Sequence, residues 1–253
     1  MIRSLKALAV VAVLCASAAP SAAEEPSEER LHFRISPYVW VASLEGDVAT
    51  LARLPAVEVD ASFSDILEKA DLALMLAAEV RYDRFGVTTD FSYMELSIEE
   101  GSPLRFFNGV DFETDTFFAT FKGFYRAVEE ERFILDVLAG LRLWDVATVL
   151  KFKPGLLPGL RTSDDDTWAD PVFGARGSAQ LLGSFFITAG ADIGGFGAAS
   201  DLTWQMIGTV DWVPTPWLAI RAGYRHLDVD YHHGDFEWDI AMSGPIVGAT
   251  LRF

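Results

Sequence analysis

Apolar and polar residues alternate with a period of two along most of this chain. Between residues 133 and 144 every odd position is apolar, whereas the even positions hold Ile134, Asp136, Leu138, Gly140, Arg142 and Trp144. Residues 217–228 repeat the pattern: one face holds Leu218, Ile220, Ala222 and Tyr224, and the other holds Ala219, Arg221, Gly223 and Arg225. A helix would mix these residues around its circumference, whereas a strand separates them onto two faces. The pattern therefore predicts β-strands.

Ten segments show this alternation. They are residues 31–42, 72–83, 86–97, 112–126, 132–146, 170–181, 184–194, 202–213, 216–228 and 240–253. Each is long enough for a tilted membrane strand, which needs about 9–11 residues, and no segment after the N-terminal leader approaches the ~18 apolar residues of a membrane helix. The predicted fold class is all-β: an antiparallel up-and-down transmembrane β-barrel of about 10 strands, with 8 or 12 strands as alternatives.

The predicted connections alternate between short and long. The short ones are residues 83–85, 129–131, 182–183 and 214–215, and the long ones are 43–71, 98–111, 147–169, 195–201 and 229–239. If the chain starts in the periplasm, ten strands return it there and every long connection falls outside, as in outer-membrane barrels. A short helix over residues 63–70, N-capped by Ser64 or Asp65, is predicted within the first long connection.

The first residues of the chain have the features of a secretory signal peptide. Arg3 and Lys6 precede a short apolar stretch, and the small residues before position 24 favour cleavage after Ala23. The expected domains are therefore a signal peptide at residues 1–23 and a barrel at residues 24–253. Secretion of this kind predicts localisation in the outer membrane.

Composition and charge exclude some functions. The full chain has a formal net charge of −17, and loss of the two leader cations brings the mature chain near −19, which argues against nucleic acid as a partner. The chain is nevertheless 51% hydrophobic and 13% aromatic, an unusual combination with such acidity for a soluble domain. The single cysteine, Cys15, lies in the leader, so the mature protein is not expected to rely on disulfides.

The two faces of the predicted strands differ in chemistry. The apolar face includes Phe33, Ile35, Val39, Leu74, Val80, Phe117, Phe121, Phe185, Ile187, Trp204, Met206, Val210, Trp212, Val247, Leu251 and Phe253. The opposite face carries Arg34, Glu79, Arg81, Asp90, Lys122, Asp136, Arg142, Arg176, Asp192, Gln205, Asp211, Arg221, Arg225 and Arg252. An apolar outside with aromatics near the strand ends favours a membrane barrel. A soluble lipocalin-like barrel or a β-sandwich is the alternative.

The charges on the polar face predict a lumen network. Ionised groups in a narrow interior are costly unless they are paired, so the mixed signs indicate ion pairs across the lumen. A barrel of about 8 strands is filled by its side chains, whereas 16 or more strands leave a channel. We therefore expect a lumen that is blocked by salt bridges, or at most a narrow pore that favours anions.

The long connections are acidic, as residues 99–100 and 164–166 and Asp230 and Asp235 show. Their simplest interpretation is solvated outer loops. The sharper interpretation is that divalent cations bridge these carboxylates to lipopolysaccharide.

The C-terminal residues 244–253, which read Gly-Pro-Ile-Val-Gly-Ala-Thr-Leu-Arg-Phe, resemble the closing strand of the Gram-negative outer-membrane β-barrel superfamily. The stretches 36–40, 63–66 and 223–225 are also similar to a group of uncharacterised outer-membrane proteins. The resemblance implies assembly by the barrel-assembly machinery and contact with outer-membrane lipid and lipopolysaccharide. It implies no reaction, and a monomer is expected.

The richest chemical cluster runs from His226 to Asp235. One interpretation is a metal site at His232 and His233, but adjacent residues of a strand point to opposite sides. Another is catalysis by His226 and Asp228, because omptin proteases are ten-stranded outer-membrane barrels with Asp and His at the outer rim. The third is a solvated loop without chemistry. No polar residue stands out near the middle of the apolar faces, where lipid A-modifying barrels usually carry a Ser or His.

The leading hypothesis is a non-enzymatic barrel with a structural, adhesive or narrow-pore role, with no catalytic residue, no metal and no cofactor. Two alternatives remain open. One is an outer-membrane hydrolase, either an omptin-like protease or a lipid A-modifying enzyme, with its site near His226 to Asp235. The other is a small solute channel.

Overall fold

The computed structural model describes residues 31–50, 56–61, 70–100, 107–234 and 236–253. The predicted signal peptide at residues 1–23 lies outside the described residues, as does all of the predicted helix at 63–70 except its last residue. Within the described residues, no helix is long and apolar enough to cross a membrane.

The described residues form twelve antiparallel strands in one sheet. They are β1 (Leu31–Trp40), β2 (Ser43–Ala49), β3 (Val57–Ala61), β4 (Ala70–Tyr82), β5 (Phe85–Glu100), β6 (Gly109–Glu130), β7 (Phe133–Lys153), β8 (Leu160–Leu182), β9 (Phe185–Gly195), β10 (Leu202–Thr215), β11 (Leu218–His233) and β12 (Phe236–Arg252). β1 pairs with β4 on one side and with β12 on the other, which closes a barrel of ten strands. The predicted fold class is confirmed.

β1 and β2 follow a single course along β12. Trp40 pairs with Ile246 and Ser43 with Ser243, so the register of the two strands is continuous across the gap between them. The backbones approach closely at this gap, because a Cβ on Gly244 would lie 1.9 Å from the carbonyl oxygen of Val41. β3 pairs antiparallel with β2 and adds a further strand at the end of the barrel away from the short turns.

The strands extend much further than the sequence analysis predicted. β6, β7 and β8 have 22, 21 and 23 residues, about twice the 9–11 that a membrane strand needs. The described residues of the predicted long connections 43–71, 147–169 and 229–239 are therefore largely strand, and this part of the prediction was wrong. The acidic residues 164–166 lie on β8, and Asp230 lies on β11.

The polarity of the barrel inverts along its length, which explains the error. On β11 the exposed outward residues Ile220 and Tyr224 are apolar, but further along the same strand the buried inward residues Leu227 and Val229 are apolar instead. β12 shows the same change, with Val247 exposed and Ile240 buried. Alternation thus continues along the whole strand, but the apolar residues move from the outward to the inward face. This change is expected where the outward face passes from lipid to water.

Candidate functional site

The half of the lumen nearer the short turns between strands contains a network of ion pairs around two carboxylates. Glu79 contacts Arg34 at 3.4 Å and Arg176 at 2.7 Å. Asp136 accepts hydrogen bonds from Arg176 at 2.7 Å and from Arg126 at 2.9 Å. Because Arg176 contacts both carboxylates, it joins β4, β7 and β8 across the lumen.

Asp192 is the centre of a second network, in the middle of the lumen. Its carboxylate accepts hydrogen bonds from Lys122 at 2.8 Å, from Arg142 at 2.6 Å and from Gln205 at 2.5 Å. Arg142 is completely buried and also donates to the hydroxyl of Thr203 at 3.0 Å. Two cations therefore share one buried anion.

Arg225 links this network to β1. Its guanidinium donates to Gln205 at 2.9 Å and to the hydroxyl of Tyr38 at 2.9 Å, and it lies 3.5 Å from Asp90. Tyr38 in turn donates to Asp90 at 2.7 Å. The polar layer therefore extends across the lumen from β1 and β5 to β10 and β11.

The other predicted lumen residues have separate partners or none in the part of the chain that the structure describes. Asp211 and Arg221 pair at 2.9 Å, and Arg81 lies 3.9 Å from Glu129. Arg252 forms no ion pair within 4.0 Å among the described residues, and its Nε is buried without a hydrogen-bond partner.

The sequence analysis missed two charged lumen residues, Asp170 and Arg126. Asp170 is completely buried on β8 and accepts hydrogen bonds from the backbone N–H and the hydroxyl of Ser200. Arg126 is almost fully buried and contacts both Asp136 and Glu129. It shares the inward face of β6 with Lys122, and this shared parity was the available signal. Arg126 is the last residue of the predicted strand 112–126.

An aromatic core closes the outer half of the lumen, directly above Arg225. This guanidinium lies 4.7 Å from the ring of Trp40 and 5.4 Å from that of Phe118. Phe118 packs on Trp144 at 4.8 Å, and Trp144 stacks on Trp168 at 5.7 Å.

The stack continues to the outer rim, where Trp168 lies parallel to Tyr231 with 3.8 Å between ring centroids. The remaining buried residues of this core include Leu44, Val48, Val57, Val59, Leu96, Val110, Phe112, Val146, Leu150, Phe152, Leu227, Val229, Phe236, Trp238, Ile240 and Met242. This inner apolar layer was not predicted from the sequence.

Two cavities remain among the inward polar residues, with volumes of about 160 and 200 Å³. The larger one is lined by Arg34, Arg176, Arg221 and Arg252 together with Glu79. Neither cavity reaches Trp144 or Trp168. These two cavities therefore lie within the polar half of the lumen.

The two histidines considered for a metal site do not converge. His232 lies 3.0 Å from Asp230, whereas the Nδ1 of His233 contacts Asp166 at 2.8 Å on the other side of the strand. Among the described residues, Asp201, Asp230 and His232 have potential ligand atoms within 4.8 Å of one another, but these groups are at least partly exposed.

His226 and Ser243 form a polar pair on the outer surface of the barrel. They are directly opposite one another on β11 and β12, and the Nδ1 of His226 lies 2.5 Å from the Oγ of Ser243. The ring of Trp204, which lies opposite Asp228 in the pairing of β10 with β11, packs on the imidazole at 4.4 Å. A polar pair is thus present near the middle of β12, where the sequence analysis saw none.

Outward carboxylates surround the outer half of the barrel. This acidic belt consists of Glu45, Asp47, Asp111, Glu113, Asp115, Asp145, Asp165, Asp228, Asp230, Glu237 and Asp239. Lys151 and Lys153 pair with Glu113 and Asp111, respectively. The belt begins where the apolar outward band ends.

No family model and no curated protein matches the chain. Among solved structures, the outer membrane protease OmpT from Escherichia coli aligns with 90% of this chain and 98% of its own, at 10% identity and a TM-score of 0.53. The translocator domain of autotransporter NalP from Neisseria meningitidis aligns with 87% of this chain and 88% of its own, at 12% identity and a TM-score of 0.48. The chain has the fold of a Gram-negative outer-membrane β-barrel. At these identities the likeness concerns the fold alone.

The short turns at residues 83–84, 131–132, 183–184 and 216–217 lie together at one end of the barrel, and the aromatic core and the acidic belt lie toward the other end. The sequence analysis predicted that the short turns face the periplasm, as in outer-membrane barrels. That prediction would place the aromatic core and the acidic belt outside the cell and the ion-pair networks at membrane depth.

Asp239 in the acidic belt gives the first prediction. Burial raises its pKa, as do the carboxylates of Asp230, Asp228 and Asp47. Because the pKa in the folded state exceeds that in the unfolded state, ionised Asp239 destabilises the fold at neutral pH. Asp239→Asn should increase the free energy of unfolding by roughly 0.5 kcal/mol at pH 7, since solvent screens an exposed group.

Urea unfolding in detergent micelles, followed by tryptophan fluorescence, measures this gain. It should shrink as the pH falls through the folded pKa and vanish below the unfolded value of about 4. A gain that persists at pH 3 would show that packing, rather than charge, is responsible.

Proposed function

We propose that the protein is a closed, non-conducting outer-membrane barrel that holds a folded, acidic β-structure on the cell surface, with a structural or adhesive role rather than transport. One observation carries this proposal: the lumen is filled at two successive levels. Arg142 and Arg225 occupy the lower level, and Trp144 occupies the upper one, each at most 1% exposed.

The energetic cost of a solute path supports the proposal. A passing solute must separate Asp192 from two buried cations, and breaking one such buried pair costs about 3–5 kcal/mol. It must then displace the stacked rings of Trp144 and Trp168. Ten strands also lie near the size at which side chains alone fill a barrel.

The surface chemistry supports a role at the lipopolysaccharide layer. The acidic belt lies beside phosphorylated lipid, so direct contact between these anions is unfavourable. Divalent cations bind carboxylate and phosphate oxygens together and would link the belt to this layer. The protein acts in this role as a monomer, because the barrel closes without a free edge in its membrane half.

Planar-bilayer recording tests closure and gives the second prediction. The reconstituted wild-type barrel should show no conductance steps. Arg225→Ala should also remain closed, because the layer of Phe118 and Trp144 lies above the removed guanidinium. A general porin in the same lipid is the positive control for insertion. Regular single-channel steps from the wild-type protein would contradict the proposal.

A further inference from the structure

The His226–Ser243 pair differs from the other polar contacts of the barrel in its position. Most buried polar residues in the described strands face the lumen, but this pair faces outward. On the periplasmic side of the pair lie the apolar residues Tyr224 and Val247, both more than half exposed. On the other side lies Asp228 of the acidic belt. The pair therefore lies where the acyl chains of the outer leaflet meet their headgroups.

The geometry of the pair fits an activated hydroxyl. With the ring proton on Nε2, the Nδ1 of His226 accepts the Ser243 hydroxyl proton across 2.5 Å, as a general base paired with a nucleophile requires. The ring of Trp204 packs 4.4 Å from the imidazole, on the neighbouring strand β10. Trp204 thus acts as a positioning residue.

An unsatisfied atom points to the same site. The Nε2 of His226 is buried and has no hydrogen-bond partner among the described residues. An unpaired buried donor costs about 1–3 kcal/mol, and such atoms call for an explanation in ligand binding or catalysis. A purely structural Ser–His contact does not require this second nitrogen to stay unpaired.

We propose that Ser243 and His226 form a lipid-facing hydrolase site that cleaves acyl esters of outer-leaflet lipids. The sealed barrel then serves as the scaffold for the site, and the proposal does not depend on closure of the lumen.

The reaction has two balanced steps. The Oγ of Ser243 attacks the ester carbonyl while His226 takes its proton, and the bond to the alcohol oxygen breaks as His226 returns that proton to the leaving alcohol. A water molecule then attacks the acyl-serine with His226 again as base. This step releases the fatty acid and restores the hydroxyl.

The full-length protein purified in detergent can be tested on two ester sources, phosphatidylethanolamine vesicles and lipopolysaccharide, with released fatty acid measured by mass spectrometry. We expect release from at least one source, and the comparison identifies which lipid is the substrate. Ser243→Ala and His226→Gln should each lower the rate by about 10²-fold or more. Ser97→Ala, at an exposed position on β5, is the matched control and should keep full activity.

A fluorophosphonate probe provides a second readout that does not need the natural lipid. It should label Ser243 in the wild-type protein, and labelling should fall sharply in folded His226→Gln and be absent from Ser243→Ala. Heat-modifiable migration on gels confirms that each variant is folded. Release from neither lipid together with no adduct on Ser243 would overturn the proposal, as would full activity in folded Ser243→Ala.

Discussion

Asp192→Asn is expected to lower the free energy of unfolding by about 3–5 kcal/mol, because it leaves two buried cations without their shared anion. Arg142 is fully buried on β7, and Lys122 contacts the same carboxylate from β6, the strand next to β7. Asparagine keeps the shape of the side chain, so the loss reports charge rather than volume. Urea unfolding in lipid vesicles or micelles gives the value directly.

Two further variants sharpen this test. Asp145→Asn removes an exposed carboxylate of the acidic belt and should change stability by no more than about 0.5 kcal/mol. The double variant Asp192→Asn, Lys122→Met lacks one of the two unpaired cations. It should recover part of the free energy of unfolding that Asp192→Asn loses. A loss below about 1 kcal/mol for Asp192→Asn would mean that water solvates these cations and that the polar layer is not closed.

Trp144→Ala is expected to destabilise the outer half of the barrel by about 3–5 kcal/mol. Its side chain is completely buried between Phe118 and Trp168, so truncation leaves a cavity in the middle of the aromatic core. The membrane half keeps its ion pairs and its apolar band. We therefore expect local loosening of the outer strands rather than loss of the whole barrel.

Proteolysis of intact cells separates these outcomes. Added protease should cut the outer strands of Trp144→Ala faster than those of the wild type, while the membrane half stays protected. Trp217→Ala, at an exposed periplasmic position, is the control and should leave this cleavage unchanged. Equal cleavage of Trp144→Ala and wild type would show that the aromatic core does not hold the outer strands together.

Much of the membrane half could be predicted from the sequence. Each of the ten predicted segments corresponds to one observed strand, with overshoots of one or two residues at several ends, and the inward position of residues such as Asp136 and Arg142 followed from their parity. The outer half was missed because the apolar set changes parity there, as between Tyr224 and Leu227 on β11. A sequence pattern that requires the apolar residues to stay on one face stops where their parity changes, although the strand itself continues.

The candidate site was less predictable. The sequence analysis considered His226 and Asp228 as a catalytic pair by analogy with omptin proteases, but the hydrogen-bonded partner of His226 is Ser243 on the next strand. The register between β11 and β12 places these two residues opposite one another. Periodicity within a strand contains no information about that register.

The sequence by itself indicated the all-β barrel class, the approximate positions of the ten membrane strands and the inward or outward face of most residues in their membrane half, because a period of two with an apolar outside is typical of strands in lipid. Only the tertiary structure decided which charges meet. Asp192 joins Lys122 and Arg142 from positions 70 and 50 residues away, and their contact depends on how ten strands are staggered around a closed lumen.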